Sequence, residues 1–323
     1  MFDNIGEPLI PNIIKKIHKI VNMVPELKFE NVYHTTASID GEEKYDLVRK
    51  EHNLPDRMNL LVTNYYEWIA SADNFRLQTM PEYNVGLRPK QFVCLNKVER
   101  YHRIRIVAWL LKNNMLDKGL VSFYGRDFDN SWIEVAKMWA DSENYRVEPK
   151  WIIDSITENS DKFPMNLNAS PDRENPIELI DDDHTLYNQT YYSIVPETMF
   201  FCQKHGFNNL HTFADSHFIS EKTYKTLAIK HPFILMGWPK TMEHLRSLGY
   251  KTFHPYINED YDNEIDDFKR FDLITREIER LNNFTDQQWI EFTENIKPIV
   301  EHNFNVLMGK NDFAITKNIT KDW

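Results

Sequence analysis

The apolar positions Ile10, Ile13, Ile14, Ile17, Ile20, Val21 and Val24 recur at helical spacing, with Lys15, Lys16 and Lys19 on the other side. This pattern predicts an amphipathic helix over 10–24, docked on its own domain by the apolar stripe. A basic helix of this kind is also the type that lies on membranes. Two short β-prone runs follow, 31–36 and 59–64, and read as strands, with Ser38 to Glu43 between them as a turn. Residues 65–80 read as helical, and the stretch Pro81 to Pro89 is the expected domain junction.

From Phe92 onward the pattern becomes strand–helix alternation. Phe92 to Leu95 reads as a strand. A helix over His102–Asn114 follows, with Ile104, Val107, Ala108 and Leu111 at core spacing, and then a strand of Leu120 to Tyr124 ended by Gly125. A short helix is expected over 131–140, and the polar, Asn-, Asp- and Pro-rich stretch 157–183 reads as a long loop. Tyr191 to Glu197 reads as another strand. Beyond Ser220 comes a helix with Tyr224, Leu227 and Ala228 on one face, then the apolar run Phe233 to Met236, suited to a buried parallel strand. Thr241 to Leu248 is expected to be helical with Gly249 at its end, leading into a strand through Phe253. Helices over 266–283 and 285–302 close the pattern, with Trp289 and Phe292 packing the last of them on the body. The alternation predicts an α/β fold with parallel sheets.

Composition narrows the classes. With 323 residues the chain is long enough for two compact domains or one large one. At 41% hydrophobic and 13% aromatic it is globular and not disordered. A formal charge of −11 argues against a general nucleic-acid binder, though a local basic cleft remains compatible with it. No apolar run reaches the length of a membrane span, and the first residues lack a signal-peptide core. The two cysteines, Cys94 and Cys202, lie in apolar neighbourhoods, which points to buried thiols in a reducing compartment and a cytoplasmic home.

Two places carry candidate chemistry. Ser220 is placed as an N-cap, with Glu221 and Lys222 in the first turn. Unpaired N–H groups at a helix start attract phosphate, a Lys beside them neutralises its charge, and a Glu accepts hydrogen bonds from ribose hydroxyls. Arg100, His102, Arg103 and Arg105 crowd the turn after the Phe92 strand, where doubly wound sheets bind ligands and guanidinium groups suit anions. Glu197 emerges at the end of its strand, where it suits either sugar or ribose hydroxyls or a helix start. A rival centre is Asp181 and Asp183, an Asp-x-Asp pair whose oxygens suit Mg²⁺ or Mn²⁺, although no strongly apolar strand precedes it.

Phe218-Ile219-Ser220-Glu221-Lys222 resembles the aromatic-x-Thr/Ser-Glu-Lys motif of the family-10 α-1,3-fucosyltransferases, and Pro232 to Gly237 resembles that family's proline-plus-hydrophobic strand ending in Gly. The order Ser-Glu-Lys-Thr, Pro-Phe and Leu245-Arg246-Ser247-Leu248-Gly249-Tyr250 is similar to glycosyltransferase-like proteins of phages and marine bacteria. Those proteins also show Asn-x-x-x-Arg-x-His-Arg, here Asn96 to Arg103. The likeness covers roughly residues 92–280.

The resemblance implies a GT-B-like architecture: two Rossmann-like domains with parallel sheets facing across a cleft, and C-terminal helices. Its bounds would be 1–88 for the acceptor-side domain, 89–283 for the nucleotide-sugar domain, and 284–323 for a helix and tail packing back. It implies an inverting transfer from a nucleotide-diphosphate sugar, a GDP-sugar first and a UDP-sugar second, with no obligatory metal. Lys222 and Arg100 or Arg103 would hold the diphosphate and Glu221 the ribose. Phe218 would flank the base or ribose, and Asn96, Ser220 and Glu197 would complete the donor site. The general base would be a carboxylate or a His of the N-terminal domain, with Asp40, Glu42, Glu43 and Glu67 as unranked carboxylate candidates. The acceptor is expected to be a surface glycan, with hydroxymethylated bases of phage DNA as an alternative. Two other functions stand beside this one: a metal-dependent transferase built on Asp181 and Asp183, and a non-catalytic nucleotide-sugar-binding module.

Overall fold

A computed structural model describes residue 9 and residues 11–72, 82–97, 100–123, 149–163, 165, 167, 184–202 and 217–310. The expected helix 131–140, the Asp181 and Asp183 pair and most of the expected loop 157–183 lie outside the described residues.

The N-terminal unit opens with helix α1 (Pro11–Met23), which buries Ile14, Ile17, His18 and Val21 along one stripe. Strands β1 (Tyr33–Thr36) and β2 (Asn59–Val62) pair in parallel, joined by helix α2 (Gly41–Glu51), and α3 (Tyr65–Ala72) follows. The turn expected at Ser38–Glu43 is thus only the entry to a helix. The acidic pair Glu42 and Glu43 occupies its first turn, where the helix dipole favours carboxylates. This unit has its own core, in which Ile14, Ile17 and Val21 meet Tyr45, Val48, Met58 and Leu60. The Tyr45 hydroxyl ties three elements together, accepting from Met58 N at 3.0 Å and hydrogen-bonding His18 Nε2 at 3.1 Å.

The larger unit is a four-stranded parallel sheet in the order β4-β3-β5-β6, with β3 at Lys90–Asn96, β4 at Gly119–Phe123, β5 at Thr190–Pro196 and β6 at Phe233–Met236. Helix α4 (Tyr101–Lys112) connects β3 to β4. Between β4 and β5 come helices α5 (Pro149–Thr157) and α6 (His184–Asn188), while α7 (Glu221–Ala228) links β5 to β6. Strands β5 and β6 are buried at every position, as expected of parallel strands covered on both faces. The chain leaves β3 toward β4 on one side and returns to place β5 on the other. The order therefore reverses between β3 and β5, and a ligand crevice belongs outside their carboxyl ends.

Helix α8 (Thr241–Ser247) ends as its glycine foretells. Gly249 takes φ +97°, its N–H donates to Arg246 O at 3.0 Å, and Tyr250 N donates to Leu245 O at 3.1 Å. This is the Schellman pattern. The strand expected through Phe253 does not form. Side chains take its backbone groups instead: Asn303 bonds both the N–H and the carbonyl of Lys251, and Glu259 accepts from Phe253 N at 2.7 Å. Helices α9 (Asp267–Asn282) and α10 (Asp286–Met308) complete the chain, the latter opened by a Thr285–Gln288 capping box and running through Pro298.

The two units meet through side chains and backbone. Ser38 bridges Phe218, Ile39 N donates to His217 O at 2.8 Å, and α3 packs on α7. Buried Glu67 on α3 accepts from the Tyr250 hydroxyl at 2.8 Å, and Ser71 Oγ donates to Lys310 O at 2.8 Å. Among the described residues, no helix is long and apolar enough to cross a membrane.

Candidate functional site

The junction between the carboxyl end of β5 and the start of α7 is organised by one carboxylate. Glu197 directly follows β5 and is 1% exposed. Its Oε1 accepts from Ser220 N at 3.2 Å and Thr223 Oγ1 at 2.6 Å, and its Oε2 from Ser220 Oγ at 2.6 Å and Thr198 N at 2.9 Å. Four donors on two oxygens use the acceptor capacity of this carboxylate within the protein, in place of the sugar or ribose hydroxyls expected for it. It fixes the start of α7 against the end of β5, and so positions the residues that follow.

Ser220 is the N-cap of α7, in extended conformation. Because its hydroxyl proton goes to Glu197, its oxygen accepts from Lys222 N at a long 3.4 Å. The amides of this first turn have no acceptor inside the helix. Lys222 Nζ donates to Glu221 Oε1 at 2.6 Å, to Ser220 Oγ at 3.1 Å and to Thr198 Oγ1 at 3.4 Å. Lys222 and Glu221 are 28% and 25% exposed, so both reach solvent from a half-buried position. Burial pushes the Glu221 carboxyl up, but the Lys222 charge and hydrogen bond, with a smaller pull from Arg103, hold it below the usual range. It is therefore an anion at neutral pH.

The turn after β3 supplies the cations. Arg100 is the half-buried residue just before α4, with extended φ and ψ, and its carbonyl accepts from Arg103 N and Ile104 N. Arg103 is buried and aims Nη2 at Pro196 O (3.3 Å) and Glu197 O (3.4 Å), at the end of the neighbouring strand β5. Burial, then the Arg100 charge, pull Arg103 down to about 10, while Glu221 and Glu197 push it back up; it stays cationic at neutral pH. His102 donates Nε2–H to Glu197 O at 2.8 Å and stacks on Phe200. Burial, then Arg103, lower its pKa well below the ordinary histidine value, with Arg100 and Lys222 adding to that. The imidazole is neutral, a strut and not a cation. Arg105 points away, its guanidinium 4.3 Å from the Phe271 ring centre on α9.

Two residues expected to touch a donor are held elsewhere. Phe218 is buried in a cluster with Ala37, Met199, Tyr66 and Trp238, where it seals the two units together. Asn96 is buried at the end of β3, with Nδ2 donating to Ser122 O at 3.2 Å and to Cys94 Sγ at 3.3 Å. It holds β3 to β4. The four carboxylates considered as bases differ in place. Glu42 is exposed and paired with Arg57, and Glu43 is exposed beside it. Glu67 is buried against Tyr250, Asn64 and Lys310. Asp40, half-buried, accepts from His217 N at 3.0 Å through Oδ1, and so lies next to the segment that leads into α7.

Several residues important to the site were not given roles by the sequence. Thr223 and Thr198 complete the clamp on Glu197 and the cradle of Lys222. Their signal was the threonine following Glu-Lys in one segment and Glu in the other. The loop after β5 is anchored by a buried ion pair, Arg270 with Asp267: Arg270 donates to Phe200 O, and Asp267 accepts from Cys202 N at 3.0 Å. Cys202 is half-buried beside Asp267, and burial pushes its thiol up to about 11, which makes it a poor nucleophile; Cys94 is fully buried at about 12. The acidic stretch 258–262 also has a structural task, for Asp262 accepts from Met242 N at 2.9 Å and Glu243 N at 3.0 Å, capping α8. Among the described residues, no group of three or more His, Cys, Asp or Glu side chains is arranged to hold a metal ion.

The chain matches no family model, and no curated protein matches it closely.

Proposed function

We propose that the chain is a glycosyltransferase that moves a sugar from a nucleotide-diphosphate sugar to an acceptor hydroxyl. The observation that carries this reading is the convergence at one crevice. The start of α7, Lys222 and Glu221 come from one side of the topological switch point, and Arg103 and Arg100 from the other. Cations and helix-terminal amides gathered beyond the ends of neighbouring parallel strands suit a diphosphate, and would stabilise the charge that grows as a nucleoside diphosphate departs. Glu221, ionised and partly exposed, suits the ribose diol. The family resemblance of the Ser220–Thr223 stretch supports the same assignment. The reading takes the small parallel sheet as the acceptor-side half of a GT-B-like pair, with a GDP-sugar as the first donor to test and a glycan or another hydroxyl compound as acceptor.

In this mechanism Lys222 and Arg100 or Arg103 hold the phosphates, Arg100 being the more accessible of the two arginines, and Glu197, Thr223, Thr198 and His102 position them. Asp40 becomes the preferred base among the N-terminal carboxylates, because it hydrogen-bonds the segment entering α7. The test is product formation from GDP-, UDP-, dTDP- and CMP-sugars with hydroxyl acceptors. Asp40→Asn should lower turnover at least about 100-fold while leaving donor binding intact.

A second reading has its own observation. Glu42 and Glu67 are engaged by Arg57 and Tyr250, and Asp40 by a backbone amide. A module that binds nucleotide sugars without transferring them would combine this grip with carboxylates committed elsewhere. Tight donor binding with neither transfer nor donor hydrolysis selects that reading over the first.

A further inference from the structure

The outward face of α1 is not that of an ordinary docked helix. Its buried stripe is Ile14, Ile17, His18 and Val21. The residues Lys16, Lys19, Ile20 and Met23 form a second stripe at the same i, i+3, i+4, i+7 spacing, shifted by two positions, or about 200° around the helix. All four are exposed, Ile20 at 43% and Met23 at 70%. The chain after the helix continues the theme with exposed Leu27, at 38%, and exposed Lys28.

Charge on this face runs against the rest of the protein. The chain carries −11 overall, yet Pro11–Met23 contains three lysines and no Asp or Glu. The flanking residues to Asn31 add Lys28, Glu26 and Glu30. Beside the helix lies a concave surface of about 540 Å³ lined by Val21, Val24, Leu27, Lys28, Asp56 and Arg57 among others. Its charges are of mixed sign, so the basic character belongs to the helix.

We infer that the outward face of α1 docks the protein on an anionic lipid surface. Ile20 and Met23 enter the headgroup region, while Lys16 and Lys19 lay their stems along it and hold their ammonium groups at lipid phosphates. Lysines interleaved with exposed apolar side chains match that interface, which is apolar below and negatively charged above. Nucleic acid offers the charge without a return for exposing methionine and isoleucine. The inner stripe stays in its own core, so docking needs no unfolding of the helix. This inference does not depend on sugar transfer.

The test is co-sedimentation of the full chain with vesicles of phosphatidylcholine alone and of phosphatidylcholine mixed with phosphatidylglycerol. Binding is expected to the anionic vesicles only and to weaken as salt is raised. Lys16→Gln with Lys19→Gln should weaken it about 25-fold, at about five-fold per lysine. Ile20→Ser with Met23→Ser should weaken it at least about tenfold. The four side chains face solvent, so an unchanged thermal midpoint checks that each variant is folded; the comparison of lipid compositions with the unaltered chain needs no variant. Absence of binding to anionic vesicles overturns the inference. So does binding that the lysine changes abolish and the apolar changes leave intact. Tighter binding to a double-stranded DNA fragment than to vesicles, lost with the same lysines, would assign the face to nucleic acid and overturn it as well.

Discussion

At the level of single residues, the site separates a buried carboxylate that holds the backbone together from charges that reach solvent. Glu197 satisfies four donors while almost wholly buried, so removing it strands Ser220, Thr223 and Thr198 in a dry place. Each orphaned buried donor costs about 1–3 kcal/mol. Glu197→Ala is therefore expected to lower stability by about 3 kcal/mol or more, read from a urea titration. Lys222 has a quarter of its side chain in water, and water can replace it for Glu221. Lys222→Ala should leave the urea midpoint essentially unchanged, and a large loss of stability would show that the lysine is structural. The contrast was only half legible in the sequence. Ser220, Glu221 and Lys222 announced a helix start with charge. Nothing in local spacing could reveal that Glu197, 23 residues earlier, would be drained of its acceptor capacity by that same helix start. The same limit hid the burial of Phe218, which looked like a ligand platform and serves as a seal.

Secondary-structure elements tell where local rules suffice and where tertiary contacts override them. The termini of α7 and α8 follow from Ser220 and Gly249, because caps are decided by one residue and its immediate backbone. The segment 250–253 has strand-like composition, yet Asn303, Glu259 and Glu67 capture its polar groups from far along the chain, and no neighbour strand claims it. Helix α2 was missed because Ser38 to Glu43 carries turn residues that equally make a helix entrance. The parallel register gives a sharp test within the sheet. Gly119 lies opposite Phe92, and a Cβ added there would fall 2.2 Å from a ring atom of that fully buried side chain. Gly119→Ala is expected to cost about 1–3 kcal/mol by overpacking, seen in the denaturant midpoint. A neutral result would mean that β3 and β4 pair in another register.

For the molecule as a whole, buried histidines couple folding to pH. His102 is held well below its ordinary pKa of 6.5 by burial and then by Arg103. His217 and His231 are lowered to about 3, chiefly by burial, with His244 and Arg88 adding repulsion. His231 accepts from Ser193 Oγ at 2.8 Å and donates to Thr190 O at 2.9 Å, so its neutral form is built into the sheet. A folded pKa below the unfolded one means that the unfolded chain binds more protons between the two values. The stabilisation is complete above about pH 6.5 and is lost as pH falls toward 3. At pH 5.5 His217 and His231 each contribute a loss of about 1.4 kcal/mol relative to the neutral plateau, or about 3 kcal/mol together, and His102 acts in the same direction. Urea titrations at pH 7.5 and 5.5 should show that drop, and equal midpoints would contradict it. Buried Glu259 and Asp262, pushed upward mainly by burial, work in the opposite sense at lower pH and blunt the fall there.

The α/β class and the parallel pairing were readable from the alternation of apolar runs. The meeting of the two units was not, since it rests on contacts such as Ser38 with Phe218 and Glu67 with Tyr250 that join residues 180 and 183 positions apart. The central claim concerns the start of α7 and the turn after β3: that together they take the diphosphate of an activated sugar. Its most direct test is a thermal-shift panel of GDP-, UDP-, dTDP- and CMP-sugars on the unaltered chain and on Lys222→Ala. One donor class at 100 times its dissociation constant should stabilise the unaltered chain by about 2.7 kcal/mol, and that gain should vanish in the variant, whose unliganded midpoint stays the same. A panel in which no nucleotide sugar raises the midpoint, or in which Lys222→Ala keeps the full gain, would contradict the account.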